Sequence, residues 1–409
     1  MGLRGLTLLT FAALGLGLTA GCSVMHFPET ERLYHDLPPE MGYRFENLRS
    51  SVANTNSLVV CVSFSGGGAR AGAMAYGVVR ALAETQLDGG DRSLLDEVDV
   101  ISAASGGAFP AAYLAAFGPR AFLNDFREEV LFRDLGMLTF WRVALCPYHL
   151  VRICSPWFNR SEVAEELYEG IFGTKTYADL HRQGRPFVVL NATDMARGTR
   201  FEFTQDQFDG LRTSLGRLPL ARALAASSAF PVLLTPVAFQ DHTREDSERY
   251  VHLIDGGIVD NLGLGHVLDS YQRGAVRRMI RAGEVGTLVF VVVNARNRPL
   301  DELSESPQAP GAISVLSYGL GAAIDRQNDA QLEFLRELVR EESSRPNAPR
   351  IHLVEVDLKD LVNPARRSRL LGVATTFGLD EEVVDELADA SSQLLRQNPS
   401  FVELLEVLR

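Results

Sequence analysis

The strongest constraint on this chain lies between Leu58 and Phe109. Leu58, Val59, Val60, Cys61, Val62 and Phe64 form a short, apolar, β-branched-rich run of the kind that fills a buried strand. It breaks on Ser65-Gly66-Gly67-Gly68-Ala69-Arg70. Ala71 to Glu84 has helical composition, with Met74, Val78, Val79 and Leu82 on one side. A second apolar segment, Val98-Asp99-Val100-Ile101, runs into Ser102-Ala103-Ala104-Ser105-Gly106-Gly107, and another helical run, Ala108 to Phe117, follows. Strand, helix and strand of this length make one βαβ unit.

Each turn has a physical purpose. Three successive glycines can take backbone angles closed to other residues. Their N–H groups can converge on one point, and the helix that follows adds the positive end of its dipole. Such a site suits a phosphate or a developing oxyanion. Ser105 stands where a strand turns sharply into a helix, and its small neighbours let the turn close with the hydroxyl exposed. Taken alone, Ser105 is better read as a cap of the following helix. Far downstream, Tyr250 to Ile254 reads as a strand that carries Asp255 to its C-terminal end, where open α/β sheets place their ligands. Gly256 and Gly257 permit the turn beyond it, and Asp255 could alternatively serve that turn alone.

Three motifs together, Gly66-Gly67-Gly68-Ala69-Arg70, the turn around Ser105, and Asp255-Gly256-Gly257, resemble the patatin-like phospholipases. The resemblance runs from about Leu58 to Asn294, in the family's order, with two departures. The first glycine of the family's serine turn is Ala103 here, and the glycine after the basic residue is Ala71, with Gly72 next. The resemblance implies a three-layer α/β/α fold with a mostly parallel central sheet and an inserted helical region, spanning residues 57–409. It implies a serine acyl hydrolase acting on phospholipid, lysophospholipid or another lipid ester, with Ser105 as nucleophile, Asp255 as base and no histidine. Gly66, Gly67 and Gly68 would bind the oxyanion. Arg70 would contact a phosphate or pair with a neighbouring carboxylate. Ser227-Ser228-Ala229-Phe230-Pro231 also resembles a family segment that lines the site. Two other outcomes are compatible with this scaffold: a non-catalytic lipid-binding lipoprotein, for which Ala103 and Ala71 leave room, and a lipid acyltransferase.

A Ser-His-Asp triad would need a histidine placed to reach Ser105. His252 lies three residues before Asp255 on one strand and so points to the other face. His266 falls in the next helix and His352 in a late strand. The dyad is preferred. Asp194 and Asp260 read as turn and helix-capping residues. No cysteine–histidine spacing suggests a metal, no acidic loop suggests calcium, and no cofactor is expected.

Residues 1–21 read as a targeting segment, with Arg4, an apolar core from Leu6 to Leu18 and small residues before Cys22. This resembles a bacterial lipoprotein signal with Cys22 lipidated, although Thr19 stands where an aliphatic residue is usual. Ser23 then implies the outer membrane. Residues 22–56, polar and proline-containing, read as a tether. The formal net charge of −12 argues against nucleic acid as a partner and against a general attraction to anionic lipid headgroups.

Residues 119–184 hold Phe126, Phe132, Phe140, Trp141, Tyr148, Trp157 and Phe158. They are read either as a lid with aromatics at a membrane or, as favoured by the habit of apolar residues to pack, as a helical subdomain with its own core. An exported chain makes a Cys146–Cys154 disulfide plausible. Helices are expected over Leu262–Arg281, over Ala312–Arg340 with a break near Gly319 and Gly321, and over Asp380–Leu394. Gln240 to Arg249 is expected as a charged loop.

Overall fold

The computed structural model describes residues 30–408 except 51–53, 91, 155–157, 232, 298–306, 308 and 347. The targeting segment, Cys22 and Trp157 lie outside the described residues.

An eight-stranded sheet forms the centre. Its strands are β1 (Leu58–Phe64), β4 (Val98–Ala104), β5 (Phe187–Asp194), β6 (Thr199–Glu202), β7 (Val237–Asp241), β8 (Arg249–Asp255), β9 (Thr287–Asn294) and β10 (Arg350–Asp357). The order is β10-β9-β1-β4-β5-β8-β7, with β6 also paired to β5. From β10 to β5 every neighbour is parallel, whereas β6, β8 and β7 are joined antiparallel. A small hairpin, β2 (Gln86–Leu87) with β3 (Arg92–Ser93), stands apart. Every residue of β1, β4, β5 and β9 is buried, so helices must cover both sheet faces. Sequential strands β1 and β4 lie to one side, and the chain returns to place β9 on the other side of β1. The winding therefore reverses between β1 and β9, and the carboxyl end of β1, which carries the glycine nest, lies at the position where such sheets bind ligands.

Helix α1 (Gly68–Glu84) follows β1 and packs lengthwise on α8 (Glu381–Gln397). The contact is close because Gly77 has no side chain: a Cβ there would overlap the backbone of Ala388. Helix α2 (Ala108–Phe126) follows β4 and turns at Gly118, with Pro119 just beyond. The inserted region holds α3 (Leu135–Leu145), α4 (Pro147–Ile153) and α5 (Arg160–Phe172). Helix α6 (Leu220–Ser227) and α7 (Ala312–Ser343) complete the elements used below.

Several expectations change. The expected loop from Gln240 overlaps strand β7, because Val237, Phe239 and Asp241 turn inward as the chain pairs with β8. The expected helix over Leu262–Arg281 is two, Leu264–Gln272 and Ala275–Arg281, parted at Gly274. Helix α7 is unbroken, and a Cβ at Gly319 or Gly321 would meet nothing, so these glycines impose no bend. The described part of the expected tether packs on the domain. Tyr43 is buried and its hydroxyl both donates to the Val188 carbonyl (3.2 Å) and accepts from the Val188 N–H (2.8 Å). Cys146 and Cys154 are free thiols. They flank α4, and eight residues at about 1.5 Å of rise hold them roughly 12 Å apart, beyond disulfide reach.

Candidate active site

Ser105 sits directly after β4 with φ of 51°, a left-handed conformation that a serine adopts only when its surroundings enforce it. The enforcement is visible. Gly106 lies so near Gly68 that a Cβ would overlap the Gly68 carbonyl oxygen, and a Cβ on Gly107 would stand 2.5 Å from the Ser65 carbonyl oxygen. The Ser105 N–H donates to Ser227 Oγ (3.0 Å), and that hydroxyl donates to the Asn191 carbonyl (2.7 Å). The Asn191 amide donates in turn to Ser102 Oγ and the Ala103 carbonyl, both at 3.0 Å. Ala103 itself is a buried residue of β4, paired in register with Phe64 and Leu190, and its side chain belongs to the core.

The Ser105 hydroxyl donates to Asp255 Oδ2 at 2.7 Å. Asp255 ends β8 opposite Ala192 and is buried. Its other oxygen accepts the Gly257 N–H (2.7 Å). Its backbone is held too: its N–H donates to the Ala229 carbonyl (3.0 Å), and its carbonyl accepts the Thr193 hydroxyl (2.9 Å). Burial raises its pKa to about 6, against the pull of the hydrogen bonds from Ser105 and Gly257. Burial thus brings a carboxylate towards the range of a working base.

The glycine nest lies against this pair. A Cβ on Gly66 would stand 3.2 Å from the Ser105 Cβ. Gly67 and Gly68 have φ of 137° and 61°, which only glycine adopts readily. Here one expectation is corrected. The Gly66 N–H donates to the Asn261 carbonyl (2.8 Å), so it is not an oxyanion donor. The N–H groups of Gly67 and Gly68, at the start of α1, are not spent on that helix. The next N–H, of Ala69, goes to the Thr376 carbonyl (2.7 Å).

Arg70 takes the second of its two expected roles, in that it is structural, though its partners are not carboxylates. It is buried and donates to the carbonyls of Ala295 (2.9 Å) and Val373 and to the Thr375 hydroxyl (3.0 Å). It ties residues 373–376 down beside the nest. Asp194 accepts the N–H groups of Ala196 and Arg197, and Asp260 accepts those of Leu264 and Gly265, as turn and capping residues do. His252 faces outward, and His266 pairs with Glu202 at 2.9 Å. No histidine among the described residues bonds to Ser105 or Asp255. No group of three or more potential metal ligands occurs among them either. The residues that sequence reasoning left without roles are Ser227, Asn191 and Thr193. Only the serine-rich segment at Ser227 carried a signal, since a hydroxyl following a helical run is otherwise unremarked.

A nucleophile elbow after one parallel strand and a glycine nest after its neighbour define the class of α/β acyl hydrolases. A family model described as patatin-like phospholipase matches residues 62–268, and the chain belongs to that family. At the level of the family it is a lipid acyl hydrolase. Among solved structures, VipD from Legionella pneumophila is similar at 14% identity and a TM-score of 0.34, covering 85% of this chain and 68% of that one. Human GIVD cytosolic phospholipase A2 is similar at 13% identity and a TM-score of 0.44, with 87% and 60% covered. Its complex with methyl gamma-linolenyl fluorophosphonate gives 14%, 0.45, 87% and 59%. This chain thus spans about three fifths of the human protein's length. No curated protein sequence matches it.

Proposed function

We propose that this protein hydrolyses carboxylic esters of membrane lipids through a Ser105–Asp255 dyad. The observation that carries the reading is the 2.7 Å hydrogen bond from the Ser105 hydroxyl to a buried carboxylate. Ser105 Oγ attacks the ester carbonyl carbon while its proton passes to Asp255 Oδ2. The resulting oxyanion accepts hydrogen bonds from Gly67 and Gly68, each such donor being worth about 3 kcal/mol of barrier. Collapse breaks the ester C–O bond, and the departing alcohol oxygen takes the proton from Asp255. Water then attacks the acyl-serine, Asp255 accepts its proton, and collapse returns that proton to Ser105 Oγ as the fatty acid leaves. The strained backbone at Ser105, braced by Ser227, keeps the hydroxyl aimed throughout.

A fluorophosphonate probe should label the folded protein at Ser105. Ser105→Ala should abolish labelling and hydrolysis, and Asp255→Asn should lower hydrolysis by at least about 100-fold with the fold retained. Full activity in either variant would remove that residue from the mechanism. Folded wild type that resists the probe while binding lipid would favour a non-catalytic role.

We further propose that Cys22 is lipidated and tethers the enzyme to the periplasmic or outer face of a bacterial outer membrane, where its substrate lies. The spacing of Arg4, the Leu6–Leu18 core and Cys22 supports this. Labelled palmitate fed to expressing cells should enter the wild type and not Cys22→Ser; equal labelling of both would end the idea.

A further inference from the structure

We infer that the α3–α4 pair is a docking platform for the lipid surface itself, seated beside the glycine nest. The inference rests on the lipid-ester reading above, and it supplies what that reading lacks: a way for the hydrolase to meet a bilayer.

The sequence expectation that favoured a packed subdomain fails at this pair. On α3 only one narrow seam is buried, Leu135 and Thr139, four residues apart. The opposite side carries Met137, Phe140, Trp141 and Leu145, of which Phe140 is 57% and Leu145 68% exposed. Helix α4 continues the surface with Leu150 and Val151. Exposed apolar surface of this extent on one face marks an interaction site.

Three features choose a membrane over another occupant. First, the whole stretch from Leu135 to Cys154 contains no aspartate or glutamate, in a chain of net charge −12. Its charged residues are Arg142, which is exposed, and Arg152, whose guanidinium lies over the Phe158 ring and pairs with Glu166 at 2.5 Å. Carboxylates are missing from the one face that would meet anionic headgroups. Second, tryptophan, phenylalanine and leucine beside arginine is the composition of helices that lie in the headgroup plane. No described helix is long and apolar enough to cross a membrane, and α3 has eleven residues, so the pair can rest on the surface and not span it. Third, the platform is continuous with the site. At its base, Gly136 abuts Phe377 so closely that a Cβ would stand 2.7 Å from the Phe377 Cβ, and Gly378 packs likewise on Asp134. One residue away, Thr376 accepts the Ala69 N–H and lies against Gly68. A bilayer seated on α3 and α4 is therefore in register with the glycines that would hold the oxyanion.

The test separates docking from turnover. In the full chain carrying Ser105→Ala, vesicles of phosphatidylcholine and phosphatidylglycerol should shift Trp141 emission to the blue, and lipids brominated in the acyl chain should quench it. Trp141→Phe in the same background should lose that response, which assigns it to Trp141 and not to Trp157. In the otherwise wild-type chain, a Phe140→Glu, Trp141→Glu, Leu145→Glu triple variant should turn over vesicle lipid at least about 10-fold more slowly. Hydrolysis of a short-chain soluble ester should stay within about two-fold, because these residues touch no reacting atom. Absent quenching, or unchanged vesicle turnover in the triple variant, overturns the platform. A triple variant that changes only the oligomeric state, seen by sedimentation, assigns the face to a second copy and overturns it as well. If wild type turns over neither substrate, the dyad reading fails, while the quenching result still decides docking.

Discussion

At the scale of single residues, the decisive event is the burial of Asp255 against Ser105. A carboxylate in water would be too weak a base; one whose pKa stands at about 6 is useful near neutrality. In the proposed dyad Asp255 acts when deprotonated, so kcat/KM on a soluble ester should rise through pH 6 and fall about 10-fold from pH 7 to pH 5. Stability should run the opposite way. The folded-state pKa is raised above the ordinary 3.8, so this group's stabilising contribution is complete below that value and is lost as pH climbs through about 6. Asp255→Asn should therefore lose less thermal stability than wild type between pH 4 and pH 7. A flat activity profile across that window, or parallel stability curves, would contradict the assignment. Residue scale also explains the two departures from the family pattern. Ala103 is a core residue of β4 and Ala71 is buried in α1, so both replacements are small side chains packed inside the fold.

At the scale of elements, the glycines separate into those that matter and those that do not. Gly77 lets α1 lie on α8, where the Ser391 hydroxyl donates to the Met74 carbonyl at 2.8 Å. Gly77→Ala should cost about 1–3 kcal/mol through overpacking, visible as a lower midpoint in thermal unfolding. An unchanged midpoint would mean that the two helices are not in contact. Gly319 and Gly321 sit in an exposed stretch of α7 and break nothing. Their composition alone points to a break, but an α-helix tolerates glycine when no kinking neighbour is present. Strand β7 has a charged flank that resembles a loop; its alternation of buried and half-buried residues emerges only against β8.

At the scale of the whole molecule, the family match ends at residue 268, but the fold does not. Strands β9 and β10 extend the parallel sheet beyond β1, and α8 covers α1. A chain cut to residues 58–268 would turn β1 into an open edge and bare the apolar side of α1. It should be insoluble or unfolded by circular dichroism and fail to react with a fluorophosphonate; a soluble, reactive fragment would show that the C-terminal third is dispensable. The full sheet is also what brings Thr376 to the glycine nest, through Arg70.

What the sequence determined by itself was whatever depends on neighbours along the chain. The βαβ unit at Leu58–Ala104, the elbow at Ser105, the nest at Gly66–Gly68 and the strand-end placement of Asp255 follow from local periodicity and backbone freedom. Tertiary structure alone decided which polar groups are already occupied. Gly66 loses its N–H to Asn261, Ser105 is braced by Ser227, and the aromatics of α3 face outward while Phe126 and Phe158 are buried. A hydrogen-bond donor or an apolar face is disposed of by partners distant in the chain, and no local pattern encodes which of them will arrive.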